Sequence, residues 1–294
     1  MYGQLFVNGL IVGFGYALVA VSFGLIYSTA GFFHFAHGAV YSFAAYLLYT
    51  LTATLNIPPV VGIALSITGA AALGAAIQIF IYRPLVRRGS NRAVLLLSSL
   101  GVMVVVQNLI SMTFGDITLA VRSSDISEGM AVLGARITKV QIVTIVLGLV
   151  LSLAIWLWLR LSKTGRMTRA VANERELSTI VGIDSERIIT LTFIIGSGTA
   201  AVAAILSAYD TDLTPMMGFR AVLFGAVAAI VGGIGSVPGA LCGGLLIGFS
   251  QILGGWLLPT QWQDTVVFLI LILFLILKPH GFLGIPRTSR AAAS

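Results

Sequence analysis

Charged side chains are scarce in this sequence: only 9% of its 294 residues are Asp, Glu, Lys or Arg, whereas a soluble domain carries about 25%. Hydrophobic residues make up 58% of the chain, and the mean hydropathy is +1.03. This composition excludes a soluble globular domain. The chain is predicted to be a polytopic membrane protein.

Cysteine is nearly absent as well, and a single Cys242 excludes an internal disulfide and a thiol metal cluster. No Walker A pattern occurs, so the chain carries no P-loop nucleotide site of its own. The net charge of +7 would suggest nucleic acid for a soluble protein. Here Lys and Arg concentrate in a few loops between apolar runs, as orientation signals do, so we expect a lipid bilayer and no nucleic acid.

The apolar runs predict an all-α transmembrane helix bundle with broken helices. A hydrocarbon core of about 30 Å needs about 20 residues per span, which allows eight to ten spans in one domain, residues 1–294. We predict nine: Leu5–Tyr27, Gly38–Leu55, Val60–Tyr82, Ala93–Thr113, Val140–Leu159, Ile188–Tyr209, Ala221–Ile234, Gly239–Leu258 and Thr265–Leu277. The first run is too long for a signal-peptide core and lacks a basic flank, so it is predicted to be retained.

Positive charge in two loops predicts the orientation. Arg83 to Arg92 contains four Arg and no acid, and Arg160 to Arg187 contains six basic and four acidic residues, so both are placed in the cytoplasm. The turn Asp210 to Gly218 is acidic and fits the outer side. Nine spans then put the N-terminus outside and the C-terminus in the cytoplasm. No charged residue lies deep within a predicted span, which favours a passive path over an ion-coupled one.

The loop Arg160 to Arg187 predicts a polar helix between two spans. Thr164-Gly165 is expected to break the preceding span, and Arg166 to Val181 to form one helix with an apolar face. Gly182 suits a helix C-terminus, and Asp184 suits the N-cap of the next helix. The apolar face consists of Leu177, Ile180 and Val181. Spacing alone favours an ordinary solvated linker with an interfacial helix.

Two glycine-bounded motifs interrupt other spans. Gly31 to Gly38 contains His34 and His37 without a nearby third ligand, so a metal site is not expected; a helix break at membrane depth indicates either a structural cap by His37 or closeness to a solute path. The second motif is Gly232 to Gly239. Gly235, Gly239 and Gly243 recur every four residues, as do Gly244 and Gly248, which predicts close helix contact. It is not a phosphate loop.

A membrane serine hydrolase is a further alternative, because Gly196-Ser197-Gly198 lies inside a predicted span. The only histidines are His34, His37 and His280, so no serine and histidine pair is evident from sequence. Small residues in a packed helix explain this motif better.

Several motifs together resemble the branched-chain amino acid permease family of bacterial ABC importers. Ala172 to Glu176 with Gly182-Ile183 resembles the cytoplasmic coupling loop, and Gly232 to Ala240 resembles a glycine-rich run of that family. Gly31 to Gly38 is similar to a family signature, with His34 where Asn is usual. Phe224 stands where the family often has Lys. The likeness extends from about Gly9 to Gly284.

This resemblance implies a permease without catalytic activity, metal or cofactor, working in a bacterial inner membrane. Its implied partners are two ABC ATPase subunits, a homologous second permease subunit and a periplasmic substrate-binding protein. The implied solutes are leucine, isoleucine and valine, with urea or short amides as the alternative and a stand-alone channel as another. The residues implied in ATPase coupling are Arg169, Asn173, Glu174, Arg175, Glu176, Leu177, Ile180, Val181 and Gly182. Those placed near the translocation path are His34, Phe35, His37, Gly38, Arg220, Gly232, Gly233 and Gly235.

Overall fold

The computed structural model describes residues 2–121, 129–132 and 135–284. The described chain is almost entirely helical, with one short β-ribbon. Its α-helices are α1 Tyr2–Ala30, α2 Ala36–Tyr49, α3 Pro59–Ile77, α4 Arg83–Arg87, α5 Arg92–Phe114, α6 Lys139–Leu161, α7 Lys163–Asn173, α8 Arg175–Ile180, α9 Ser185–Asp210, α10 Met217–Gly232, α11 Val237–Leu257 and α12 Gln263–Leu277. The strands are β1 Met130–Val132 and β2 Ala135–Ile137.

Short irregular turns extend several helices. A π-helical turn, Thr50–Thr54, prolongs α2, and a second one, Gln78–Tyr82, joins α3 to α4. A 3₁₀ turn, Thr260–Trp262, leads into α12. These irregular turns fit the predicted broken helices.

Within the part of the chain that the structure describes, a helix lies at each of the nine predicted spans. Six helices are long and apolar enough to cross a membrane: Tyr2–Ala30, Pro59–Arg87, Arg92–Phe114, Lys139–Leu161, Ser185–Asp210 and Val237–Leu257. The other three segments carry the shorter α2, α10 and α12. The predicted all-α membrane bundle is confirmed, and the number of crossings stays a prediction.

Local signals start the helices where the sequence places capping residues. The Asn91 side chain accepts a hydrogen bond from the Val94 amide at 3.0 Å and begins α5. Thr138 and Gln141 form a reciprocal capping box at the start of α6. Each cap satisfies amide groups that have no partner within the first helical turn.

Helix α1 lies at the centre of the bundle and runs antiparallel to α11. A Cβ at Gly244 would lie 2.5 Å from the Ala17 amide nitrogen, and one at Gly248 would lie 2.4 Å from Gly13. Glycine therefore lets the two backbones touch, as the four-residue spacing predicts. Because apolar lipid supplies little hydrophobic drive, such close packing holds the helices together.

The β1–β2 ribbon lies against the start of α1. Its strands are antiparallel, with Met130 opposite Ile137 and Val132 opposite Ala135. The Gln4 side chain accepts from the Arg136 amide at 2.8 Å and donates to the Arg136 carbonyl at 3.0 Å. An isolated bridge also joins Leu119 to Leu213.

Candidate functional site

The predicted polar helix is present, but its start was misplaced. Helix α6 ends at Leu161, and Ser162 caps α7 by accepting from the Gly165 amide at 2.8 Å. Gly165 lies inside α7, where a Cβ would be 2.1 Å from the Trp158 carbonyl oxygen. The prediction that Thr164-Gly165 breaks the helix is therefore wrong. Gly165 instead permits the close approach of α7 to α6.

The prediction of a single helix from Arg166 to Val181 is also wrong, since the segment consists of two helices, α7 and α8. Glu174 has extended backbone angles, φ −151° and ψ 105°, between α7 and α8. The change of direction lets α8 reach the start of α9, where the Thr179 and Ser185 hydroxyls lie 3.0 Å apart. The continuous helical pattern therefore does not indicate the break at Glu174.

The apolar side chains of the second helix point away from the bundle. Leu177 is 58% exposed, Ile180 79% and Val181 74%. Gly182 follows with φ +87°, and Asp184 accepts from the Arg187 amide at 3.1 Å, which confirms both predicted caps. We name the segment Lys163–Val181 the α7–α8 segment. It presents an uncovered apolar patch next to charged residues.

Two arginines tie the end of this loop to the neighbouring one. The Glu186 carboxylate in the first turn of α9 contacts the Arg83 guanidinium at 2.5 Å and that of Arg87 at 2.8 Å. The two predicted basic loops are thus joined, although they are far apart in sequence. Helix α9, which follows the α7–α8 segment, is thereby linked to α4 at its first turn.

His34 and His37 are both fully buried. His34 Nδ1 lies 3.0 Å from the Tyr82 hydroxyl, and His37 Nε2 lies 2.8 Å from the Ser22 hydroxyl. The prediction that His37 caps the broken helix is wrong, because its side chain bridges α2 to α1 instead. The remaining nitrogen of each ring has no hydrogen-bond partner.

Phe35 and Gly38 flank these histidines at the start of α2. The Phe35 amide donates to the Ser99 hydroxyl at 3.1 Å. A Cβ at Gly38 would lie 2.5 Å from the Gly218 carbonyl oxygen, so this glycine permits contact between α2 and α10. Sequence spacing gives no indication of either partner.

The glycine-rich turn between α10 and α11 is tight. Gly233 and Gly235 have φ of +106° and +89°, angles that favour glycine. A Cβ at Gly232 would lie 2.0 Å from the Gly239 carbonyl oxygen. The segment after α12 closes over this turn, with the Phe282 amide donating to the Val231 carbonyl at 2.9 Å.

A cavity of about 460 Å³ lies between this turn, α1 and α7. It brings Arg169 and Asn173 of the predicted coupling set together with Gly233 and Gly235 of the predicted path set. His34 and His37 do not line it. Its further lining residues include Ser28, Thr168 and Ser236, which no sequence motif indicates.

A charged cluster joins α10 to α12. Arg220 Nη2 contacts the Asp264 carboxylate at 3.0 Å, and Gln251 and Tyr16 extend the contact towards α1. Asp264 therefore pairs with a residue of another helix. No spacing signal connects two residues from separate helices.

Ser197 is fully buried, and its hydroxyl has no hydrogen-bond partner. A Cβ at Gly74 would meet the Ser197 side chain, so the small residue lets α3 approach α9 closely. This geometry agrees with packing and provides no nucleophile and base pair at Ser197.

The long apolar helices define the class of this chain: an all-α polytopic membrane protein with a polar helical segment between two spans. It belongs to the family described as branched-chain amino acid transport system / permease component, whose model matches residues 5–275.

Individual relatives extend over nearly the whole chain. It is 35% identical to the high-affinity branched-chain amino acid transport system permease protein LivH of Escherichia coli (strain K12) over 298 residues, covering 96% of each chain. It is also 35% identical to the permease protein BraD of Pseudomonas aeruginosa, with 98% of each chain covered. The probable LivH permease of Methanocaldococcus jannaschii is 25% identical, with 91% of this chain and 88% of that protein covered.

A solved structure shares the fold. PsaBC from Streptococcus pneumoniae in complex with Fab matches with a TM-score of 0.52 at 12% identity, covering 95% of this chain and 91% of that chain. At this identity the likeness concerns the fold alone.

Proposed function

We propose that the chain is the transmembrane permease subunit of an ATP-driven ABC importer, with residues 1–294 forming one permease domain. The observation that carries the proposal is the uncovered apolar patch Leu177, Ile180 and Val181, framed by charges and placed between two spanning helices. An amphipathic α-helix outside the membrane typically binds with its apolar face in a groove of a partner protein. The 35% identity to named permease proteins supports the same assignment.

The occupant of this patch is an ABC ATPase subunit. Two such subunits, a second homologous permease subunit and a periplasmic binding protein complete the proposed importer. Glu174, Arg175 and Glu176 form the polar rim, and Arg169, Asn173 and Gly182 flank it. ATP-driven closure of the ATPases moves the α7–α8 segment. This motion reaches the bundle through Glu186 in the first turn of α9 and through Arg169 and Asn173, which line the cavity next to Gly233. The chain itself supplies no catalytic site.

Leucine, isoleucine and valine are the proposed solutes, since the named relatives are branched-chain amino acid permeases. The protein works in a bacterial inner membrane, with its N-terminus periplasmic and its C-terminus cytoplasmic. The buried His34 and His37 with Phe35 and Gly38, together with the Gly232 to Gly235 turn, hold helices beside the path. A urea or short-amide importer is the alternative solute assignment.

The docking proposal is tested by placing charge in the apolar patch. Leu177→Asp with Ile180→Asp should abolish co-purification of the ATPase subunits and ATP-dependent leucine uptake, because a desolvated carboxylate opposes the contact. The matched control is Ile117→Asp, since Ile117 is also apolar and 63% exposed. It follows the predicted span Ala93–Thr113, which begins after the cytoplasmic loop Arg83 to Arg92, so we expect it on the outer side. Unchanged ATPase association in the double variant would contradict the proposal and favour a stand-alone channel.

A further inference from the structure

Four polar side chains form a connected chain across α10, α12, α11 and α1. Arg220 Nη2 contacts the two Asp264 carboxylate oxygens at 3.0 and 3.3 Å. Gln251 Nε2 donates to Asp264 Oδ1 at 3.4 Å, and the Tyr16 hydroxyl donates to Gln251 Oε1 at 2.7 Å. The Asp264 carboxylate is thereby held by the Gln251 amide, which is itself held by the Tyr16 hydroxyl.

Helix length places this cluster within the thickness of a bilayer that α11 is long enough to cross. Helix α11 has 21 residues, or about 32 Å, which matches a hydrocarbon core of about 30 Å. Gln251 precedes its end by six residues, so it lies about 9 Å inside. Tyr16 lies at the middle of α1, Tyr2–Ala30.

The short helices lead to the same depth. Helices α10 and α12 have 16 and 15 residues, which at about 1.5 Å per residue is less than the bilayer core. Their C-terminal ends lie close together. The segment after α12 folds back, with the Phe282 ring 4.8 Å from that of Phe274, and its Leu283 amide donates to the Gly232 carbonyl at the end of α10 at 3.0 Å. Their N-terminal turns, which carry Arg220 and Asp264, therefore begin inside the membrane.

The side of the ion pair that faces away from the helix bundle is not covered by the chain. The Arg220 side chain is 65% exposed and that of Asp264 44%. Charges at this depth are costly against lipid and normally face a protein interior or a wet passage. The guanidinium retains free N–H donors and the carboxylate free lone pairs, so both groups can accept a further ligand.

An apolar wall continues from the pair along the same two helices. One turn beyond Arg220 and Asp264, Phe224 packs on Phe268 with ring centroids 6.2 Å apart. Phe268 is 37% exposed, and Ile272 one turn further is 53% exposed. An anion site and a cation site beside an apolar wall match the two charged groups and the aliphatic side chain of an amino acid.

We propose that Arg220 and Asp264 bind the zwitterion of the amino acid in transit, on the face that the second permease subunit encloses. The Arg220 guanidinium takes the carboxylate of the solute, and the Asp264 carboxylate takes its ammonium group. Tyr16 and Gln251 position Asp264. In the absence of solute, the two residues neutralise each other, which lowers the cost of keeping charge in the membrane. This assignment rests on the proposed function.

The test uses the complete importer, with its ATPases, second permease subunit and binding protein, in proteoliposomes. Arg220→Gln and Asp264→Asn should each reduce leucine import by about tenfold or more, as expected when a charged hydrogen-bonded contact is lost, while all subunits still co-purify. Arg220→Lys, which keeps the charge without the two-pronged geometry, should retain part of the import. The matched control is Arg136→Gln, an exposed basic residue near the start of α1, which should import at the wild-type rate.

Exchange of the two charges separates solute binding from a structural ion pair. The double variant Arg220→Asp with Asp264→Arg restores a structural pair but reverses the two charges relative to the apolar wall, so import should stay low. Full import by the swap or by the single variants would overturn the proposal. Loss of the second permease subunit from the single variants would overturn it too and assign the pair to the interface. If the wild-type complex imports no leucine, the proposed function itself fails and this assignment with it.

Discussion

The α7–α8 segment and the α1–α11 contact are built by opposite means. The segment leaves Leu177, Ile180 and Val181 largely exposed, whereas the α1–α11 contact buries backbone against backbone at Gly244 and Gly248. In the first region, side chains are available for a partner; in the second, the absence of side chains is what permits assembly. Substitutions should therefore affect partner binding in one region and folding in the other.

The largest effect on folding is expected at Gly244. Gly244→Ala places a methyl group 2.5 Å from the Ala17 amide nitrogen, and overpacking against a backbone that cannot move aside should cost about 2 kcal/mol or more. Reversible denaturation in detergent measures the loss. The matched control is Gly15→Ala, where nothing lies within 4 Å and higher helix propensity should preserve or raise stability. Equal stability of the two variants would break the proposed distinction between the regions.

A smaller and local effect is expected at Gly182. Its φ of +87° disfavours any residue with a Cβ, although an added Cβ would meet no neighbouring atom within 4 Å, so Gly182→Ala should cost about 1 kcal/mol. Hydrogen exchange should accelerate in α8 and stay unchanged in α1. Gly182→Asn, which tolerates this backbone region better, should show less acceleration. Faster exchange throughout α1 would show that the α7–α8 segment is no separate unit.

The smallest effect on stability is expected at Glu186. Its ion pairs with Arg83 and Arg87 are partly exposed, and exposed ion pairs contribute little. Glu186→Gln should leave the unfolding temperature within a few degrees of wild type while lowering the leucine imported per ATP hydrolysed, because the link between loop and bundle is weakened. Both quantities are measured on the same reconstituted complex. Unchanged coupling would remove Glu186 from the proposed route of motion.

Much of the architecture followed from local sequence signals. Apolar runs predict the helices because their length matches a bilayer, and Gly182 and Asp184 predict their caps because each acts on its own neighbours. The break at Glu174 was not predictable in the same way. Glu174 has extended backbone angles, yet neither glycine nor proline marks the position, so no local signal indicates it.

The candidate sites divide along the same line. Sequence alone determined that this is a polytopic membrane protein with an exposed polar segment, because composition, charge and glycine spacing act within single helices. Only the tertiary structure decided that His37 contacts Ser22 and that Arg220 contacts Asp264. In each case the two residues lie on different helices, and their distance depends on how those helices pack and cross.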